Sequence, residues 1–160
     1  MIEVETALMN KLGKAIRTEF TDVEIKTLYK DQTPQNFTKP CIVILEYDSQ
    51  EEHLYNSLTR HYVWYDLTIH LDTTTSEQQQ IYTIMRTYAG RISRAIDYIS
   101  LTEEDTSNRA CKLKKQDWKA FVKDGVGHCQ FMYFYNTSNR GGGTTNPINQ
   151  VSGNNEIKRR

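Results

Sequence analysis

The chain has little proline, little cysteine, no long apolar run and no net charge, and each shortage excludes something. Of its 160 residues, 3 are proline and 3 are cysteine. The cysteines, Cys41, Cys111 and Cys129, are odd in number and sit in apolar runs, with no CxxC spacing. They read as reduced thiols rather than a disulfide framework or a zinc site. No segment approaches the ~18 consecutive apolar residues that span a bilayer. The first residues, Met1 to Gly13, lack a basic stretch followed by an apolar one, so no signal peptide is expected. The sequons at Asn36 and Asn136 then read as chance matches. With 20 basic and 20 acidic side chains the formal charge is zero, and no global field favours nucleic acid or an anionic membrane.

Groups that carry chemistry are equally sparse. Gly141-Gly142-Gly143 lacks the Lys-Ser/Thr of a phosphate loop and reads as a linker. His53, His61, His70 and His128 show no HxxxH or HExxH spacing. His61 and His70 fall nine apart on one strand, so they point to opposite faces about 30 Å apart. His128 and Cys129 are adjacent in a strand and diverge too, which excludes a dyad. The acidic clusters Glu51-Glu52 and Glu103-Glu104-Asp105 read as solvated loops. No catalytic residue, cofactor site or metal site is expected. In the run from Leu113 to Gly125, lysines interleave with Trp118, which suits nucleic-acid contact. The same lysines also suit an edge strand guarded against pairing, and that reading is preferred.

What the chain does have is tyrosine, 10 of them, and clear periodicity. Val4, Leu8, Leu12, Ala15, Ile16 and Phe20 recur at helical spacing, predicting a helix over 3–20. Residues 23–29 alternate as a short strand, and a loop bounded by Pro34 and Pro40 follows. The stretch from Lys39 to Leu71 is the most informative. Two apolar-rich runs flank about ten polar residues, the pattern of a long-looped antiparallel hairpin. In its second run Val63, Tyr65, Leu67, Ile69 and Leu71 share one face, and Tyr62, Trp64, Asp66, Thr68 and His70 the other. That second face is too aromatic for an ordinary solvated surface.

A second helix is predicted from Thr75 or Ser76 to Tyr98. Ser76 and Gln79 form a capping box, and the stripe holds Ile81, Ile84, Met85, Tyr88, Ile92, Ala95, Ile96 and Ile99. Gly90 within it would permit close approach of a sheet. After a charged loop at 102–108, Asp124-Gly125 between two strand-like runs signals a tight hairpin. That turn pairs Lys123 with Val126, Ala120 with Cys129 and Trp118 with Phe131. The opposite parity of Cys111 and Leu113 predicts a bulge before Trp118. The order α-β-β-β-α-β-β predicts an α+β fold: a mainly antiparallel sheet of about five strands with two long helices on one face. It occupies 1–136. Residues 137–160 are rich in Gly and Asn, carry four cations against one carboxylate, and read as a flexible arm with Ile148, Val151 and Ile157 as anchor points.

This layout resembles the tail terminator proteins of tailed bacteriophages. The resemblance is carried by Ala7 to Phe20, Lys39-Pro40-Cys41-Ile42-Val43-Ile44, Arg60 to Leu71, Gln78 to Tyr98 and Gly127 to Tyr135, about residues 1–136. It implies a structural virion protein that forms a ring, a hexamer, at the head-proximal end of the tail. Such a ring stops polymerisation of the tail tube protein and meets the head-side connector or neck protein. Genomic DNA would only pass through its channel, no membrane would be involved, and assembly would take place in the host cytoplasm. The expected contact residues are Tyr62, Trp64, Trp118, Phe131, Tyr133, Ile148 and Val151. The alternatives are another neck component, such as a head-completion or connector-adaptor protein, or a small nucleic-acid-binding protein. An enzyme is the remaining class, and no paired catalytic types support it.

Overall fold

Apolar side chains four residues apart place one helical stripe against a sheet. In α1 (Ile2–Glu19), Val4, Leu8, Leu12 and Ile16 are all fully buried, and Arg17 complements the dipole at the last turn. The computed structural model describes residues 2–30, 32, 36, 38–55, 57–72, 78–101 and 114–138. Its remaining elements are β1 (Glu24–Tyr29), β2 (Cys41–His53), β3 (Leu58–His70), α2 (Gln78–Ile96), β4 (Lys114–Lys123) and β5 (Val126–Ser138). The architecture is α+β, with a mixed five-stranded sheet in the order β1-β2-β3-β5-β4. β1 lies parallel to β2, and the other three pairings are antiparallel.

The alternation expected of β3 is present residue by residue. Val63, Tyr65, Leu67 and Ile69 are buried, and their neighbours are half-buried. They join Ile42 and Ile44 of β2, Phe131, Tyr133 and Tyr135 of β5, and buried residues of both helices in one cluster. Three contacts tie the helices in. Phe20 and Tyr88 rings lie 5.0 Å apart, Arg91 donates to the Glu19 carboxylate at 2.8 Å, and the Tyr133 hydroxyl donates to the Ile96 carbonyl at 2.8 Å.

The long-looped hairpin is corrected. The polar stretch after Tyr47 stays in β2 as far as His53, because Asp48 to His53 pair with Trp64 to Thr59. A bulge between Glu46 and Asp48 shifts the register, and the loop shrinks to the few residues before Leu58. Strand pairing with β3 overrides the polar composition here.

In α2, Met85, Ile92 and Ile96 are buried as the periodicity requires. Ile84 is 37% exposed and so lies outside the stripe. The helix meets the sheet closely at Gly127 rather than Gly90. A Cβ added at Gly127 would lie 3.0 Å from Met85 Sδ, whereas one at Gly90 would meet only the Arg94 side chain, at 3.7 Å.

The closing hairpin follows its turn chemistry. Asp124 (φ 53°) and Gly125 (φ 76°) both adopt positive φ, as a two-residue type I′ turn demands. Lys123 pairs with Val126 and Ala120 with Cys129. The bulge expected before Trp118 instead takes Trp118 in, lying between Gln116 and Lys119, so the expected Trp118–Phe131 pair is missing from the ladder. Asp117 takes a φ of 59° there, and the Trp118 ring stacks on Phe131. The capping serine Ser76, the 102–108 loop, Cys111, Leu113 and the arm beyond 138, with Ile148 and Val151, lie outside the described residues.

Candidate functional site

Residues of β3 with even numbers point away from the main core, and their partners on β2 and β5 follow by register. Tyr62 stands between Gln50 and Phe134, Trp64 between Asp48 and Met132, and Asp66 between Leu45 and Gln130. The face divides into an aromatic end and a polar middle. At the aromatic end, the rings of Tyr62 and Trp64 stack 5.9 Å apart, and Tyr62 lies 6.2 Å from Phe134. The Arg60 guanidinium sits 5.2 Å over Phe134 and donates to Asn136 at 3.1 Å. The Tyr62 hydroxyl donates to the Glu52 carboxylate at 2.9 Å. These contacts hold the rings at fixed angles, which lowers the entropy lost when a partner covers them.

In the polar middle, the Asp66 carboxylate lies 3.0 Å from His128 Nδ1, and Gln130 donates to it at 3.3 Å. His128 stacks on Phe121 at 4.9 Å and 5°. Thr68 and His70 are hydrogen-bonded at 2.9 Å. Burial, and then the nearby Lys39, lowers the pKa of His70, so its imidazole stays neutral near pH 7. Cys41, Val43 and Met132 are buried on this face although they stand outside the main core cluster.

The structure sorts the expected contact residues. Tyr62 and Trp64 lie together on this face, half-buried. Phe131 and Tyr133 do not, and are corrected: each is 2% exposed inside the chain's own core. The reason is register, since Phe131 pairs with Tyr65 and Tyr133 with Val63, both on the core side of β3. Trp118 leans toward the core as well, with its ring 6.0 Å from Phe131 and 5.2 Å from the Lys115 ammonium. Phe134, Phe121 and Arg60 belong to the second face and were not singled out. The signal for Phe134 was its parity, opposite to that of Tyr133.

A second polar group lies at the far end of the core face. Ile42, Ile44 and Glu46 follow one another at strand spacing, so the Glu46 carboxylate is carried into the core, 7% exposed. Burial, then the charge of Glu5 and a hydrogen bond with it, pushes the Glu46 carboxyl up to about 7. Nearby, His61 is 4% exposed, lies 2.7 Å from the Thr137 hydroxyl and stacks on Tyr135. Burial lowers its pKa. A cavity of about 140 Å³ lies alongside, lined by Glu5, Gln50, Glu51, His61 and Tyr135 among others.

Among the described residues, no group of three or more His, Cys, Asp or Glu is placed to hold a metal ion. Cys41 and Cys129 are buried free thiols. No described helix is long and apolar enough to cross a membrane. The chain matches no protein-family model and no curated protein.

Proposed function

We propose that this chain is a structural subunit whose copies meet through the second face of the sheet, and that it acts as a phage tail terminator. In this reading two helices and the first face make the subunit's core, and the second face is left for neighbours. A ring, taken as a hexamer, sits at the head-proximal end of the tail. It ends tail tube polymerisation and meets the head-side connector, and DNA passes through its channel. The observation that carries the reading is the aromatic end of the second face. Tyr62, Trp64 and Phe134 form a contiguous set on the side away from the main core, a composition typical of the centre of an interface. The pattern resemblance over residues 1–136 supports the tail terminator in particular. The arm 137–160, with Ile148 and Val151, is assigned to partner contact on composition alone.

Native mass spectrometry and negative-stain images of the purified chain, alone and with tail tubes, test this directly. A ring with a central hole of tail-tube width is expected. A chain that stays monomeric at high concentration and does not cap tubes would overturn it. Twelvefold symmetry would favour the neighbouring assignment, a connector-adaptor or head-completion protein.

A second reading, contact with nucleic acid, is favoured by one observation. Exposed lysines on β4 accompany aromatic rings, with the Lys119 ammonium 5.6 Å from the Phe121 centroid. Retention on single-stranded DNA that falls steeply with salt would support it.

A further inference from the structure

Three strand edges are open among the described residues, and besides the outer side of β1, first in the strand order, two complement each other. One is β4, last in the strand order. The other is the second half of β2. β1 pairs with β2 only as far as Glu46, so the residues from Tyr47 to His53 have β3 on one side and no described strand on the other. An open edge presents a row of backbone donors and acceptors able to take another strand.

The two edges carry opposite charge on the same face of the sheet. Beyond its bulge, β4 places Lys119, Phe121 and Lys123 level with Gln130, His128 and Val126, and both lysines are exposed. The open half of β2 places Asp48, Gln50 and Glu52 level with Trp64, Tyr62 and Arg60. Both sets occupy the second face and both have period two. Each regular stretch is five residues long, Lys119 to Lys123 on one edge and Asp48 to Glu52 on the other.

Direction agrees as well. β3 is antiparallel to β2, β5 to β3 and β4 to β5, so β4 runs opposite to β2. A second copy that continues the sheet past β4 therefore presents its β2 antiparallel, with the same face on the same side. The geometry points to a head-to-tail contact between copies, in which β4 of one chain adds to the open half of β2 of the next, Lys123 across from Asp48 and Lys119 across from Glu52. This rests on the ring reading above and adds a contact between strand edges to the one through the second face. The Asp124-Gly125 turn follows Lys123 directly, so β4 stops short of the neighbour's Tyr29, the last residue of its β1, which pairs with Glu46. The two strands do not compete for the same length of β2.

Lysines on an edge are also a guard against pairing, because two such edges repel each other. Here the repulsion supplies selectivity. β4 rejects a second β4, the acidic half of β2 rejects its own kind, and only the unlike pair attracts. A contact between unlike patches is heterologous, and it closes into a ring when the rotation between copies permits.

The test is a charge swap followed by native mass spectrometry at a concentration where the wild-type chain is assembled. K119E/K123E and D48K/E52K are each expected to leave folded monomers, with circular dichroism melts close to wild type. Mixed in equal amounts they should rebuild an even-numbered ring by alternating. The fourfold variant should assemble alone. Rings that survive both pairs of reversals would overturn the pairing, as would monomers that persist in the mixture and in the fourfold variant. If a reversal unfolds the chain, the neutral K119Q/K123Q variant replaces it. Its assembly should weaken by about tenfold or more, and unchanged assembly would overturn the pairing. A wild-type chain that never assembles removes the ring reading itself, an outcome distinct from rings indifferent to these charges.

Discussion

Glu46 stands directly across from Tyr65 in the β2–β3 ladder, and each holds a buried oxygen, Glu46 Oε1 and the Tyr65 hydroxyl, with no hydrogen-bond partner among the described residues. Burial and the neighbouring Glu5 push the Glu46 carboxyl from its ordinary 4.5 up to about 7. A folded pKa above the unfolded one means that the folded chain keeps a proton the unfolded chain has released. The contribution of Glu46 to stability is therefore greatest below pH 4.5, is lost as pH rises toward 7, and is flat above. His61 acts in the other direction. Its lowered pKa gives stability that is present above pH 6.5 and lost as pH falls through the folded value. Because the two oppose each other, the wild-type profile alone does not separate them. Glu46→Gln does: its stability relative to wild type should rise between pH 4.5 and 7 by on the order of 2 kcal/mol, then level off. Urea melts at pH 4.5, 6 and 8 measure this, and a difference constant across the series would sink the assignment.

Tyr133 was expected at a subunit contact and instead bonds the C-terminal turn of α2 to the sheet. Its hydroxyl donates to the Ile96 carbonyl at 2.8 Å in a buried setting. Tyr133→Phe keeps the ring and removes the donor, leaving that carbonyl only the long bond from the Ile99 amide at 3.5 Å. The expected cost is about 1–2 kcal/mol, read as an earlier denaturant midpoint at unchanged slope. Oligomeric state should not change. A variant as stable as wild type but defective in assembly would return Tyr133 to the surface.

The elements set by local rules were legible. Helical spacing located α1 within two residues, period two placed Val63, Tyr65, Leu67 and Ile69 in the core, and Asp124-Gly125 located the turn and its register. What was missed depends on pairing between distant segments. Glu51, Glu52 and His53 are polar enough to read as loop, and only their pairing with β3 keeps them in a strand. Phe131 and Tyr133 are expected at a contact, whereas pairing with the core side of β3 buries them. Glu46 was overlooked although the same period that buries Ile42 and Ile44 buries it. The aromatic character of Tyr62 and Trp64 was visible directly. Its extension to Phe134 and Arg60 required the β3–β5 register.

The β4–β5 turn isolates a backbone effect. Gly125 has a φ of 76°, and a Cβ there would meet nothing within 4 Å. Gly125→Ala therefore adds no clash, only the strain of a positive φ on a residue with a side chain, about 1 kcal/mol. Thermal melts should show that loss, whereas Asp124→Asn, which tolerates the same region, should be near neutral. Equal behaviour of the two variants would mean the turn is not of type I′ in solution.

Thiol reactivity follows from burial. Cys41 and Cys129 are both fully shielded, and burial pushes their thiols up to about 11 and about 12. The reactive thiolate is then scarce at pH 8. Brief iodoacetamide treatment of the native chain should leave both unmodified, and the same treatment in denaturant should label both, as peptide mass spectrometry would show. Rapid native labelling of Cys129 would contradict the packing of β5 against the core.

Trp64 and Phe131 separate the two faces of the sheet in one experiment. Phe131 is 2% exposed in the core, stacked against Tyr65 and Trp118, so Phe131→Ala should cost about 3–5 kcal/mol and unfold much of the chain at 37 °C. Trp64 is half-buried on the outer face, with Tyr62 as its ring neighbour. Trp64→Ser loses one stacking contact and part of a strand preference, about 1 kcal/mol, and should leave a folded subunit. If the second face is where copies meet, the same substitution removes an aromatic anchor and assembly should weaken by 2 kcal/mol or more, about thirtyfold. Light scattering across a dilution series would report it alongside melting of the isolated subunit. A Trp64→Ser chain that assembles like wild type would exclude this face as the principal contact and leave the strand edges as the remaining route between copies.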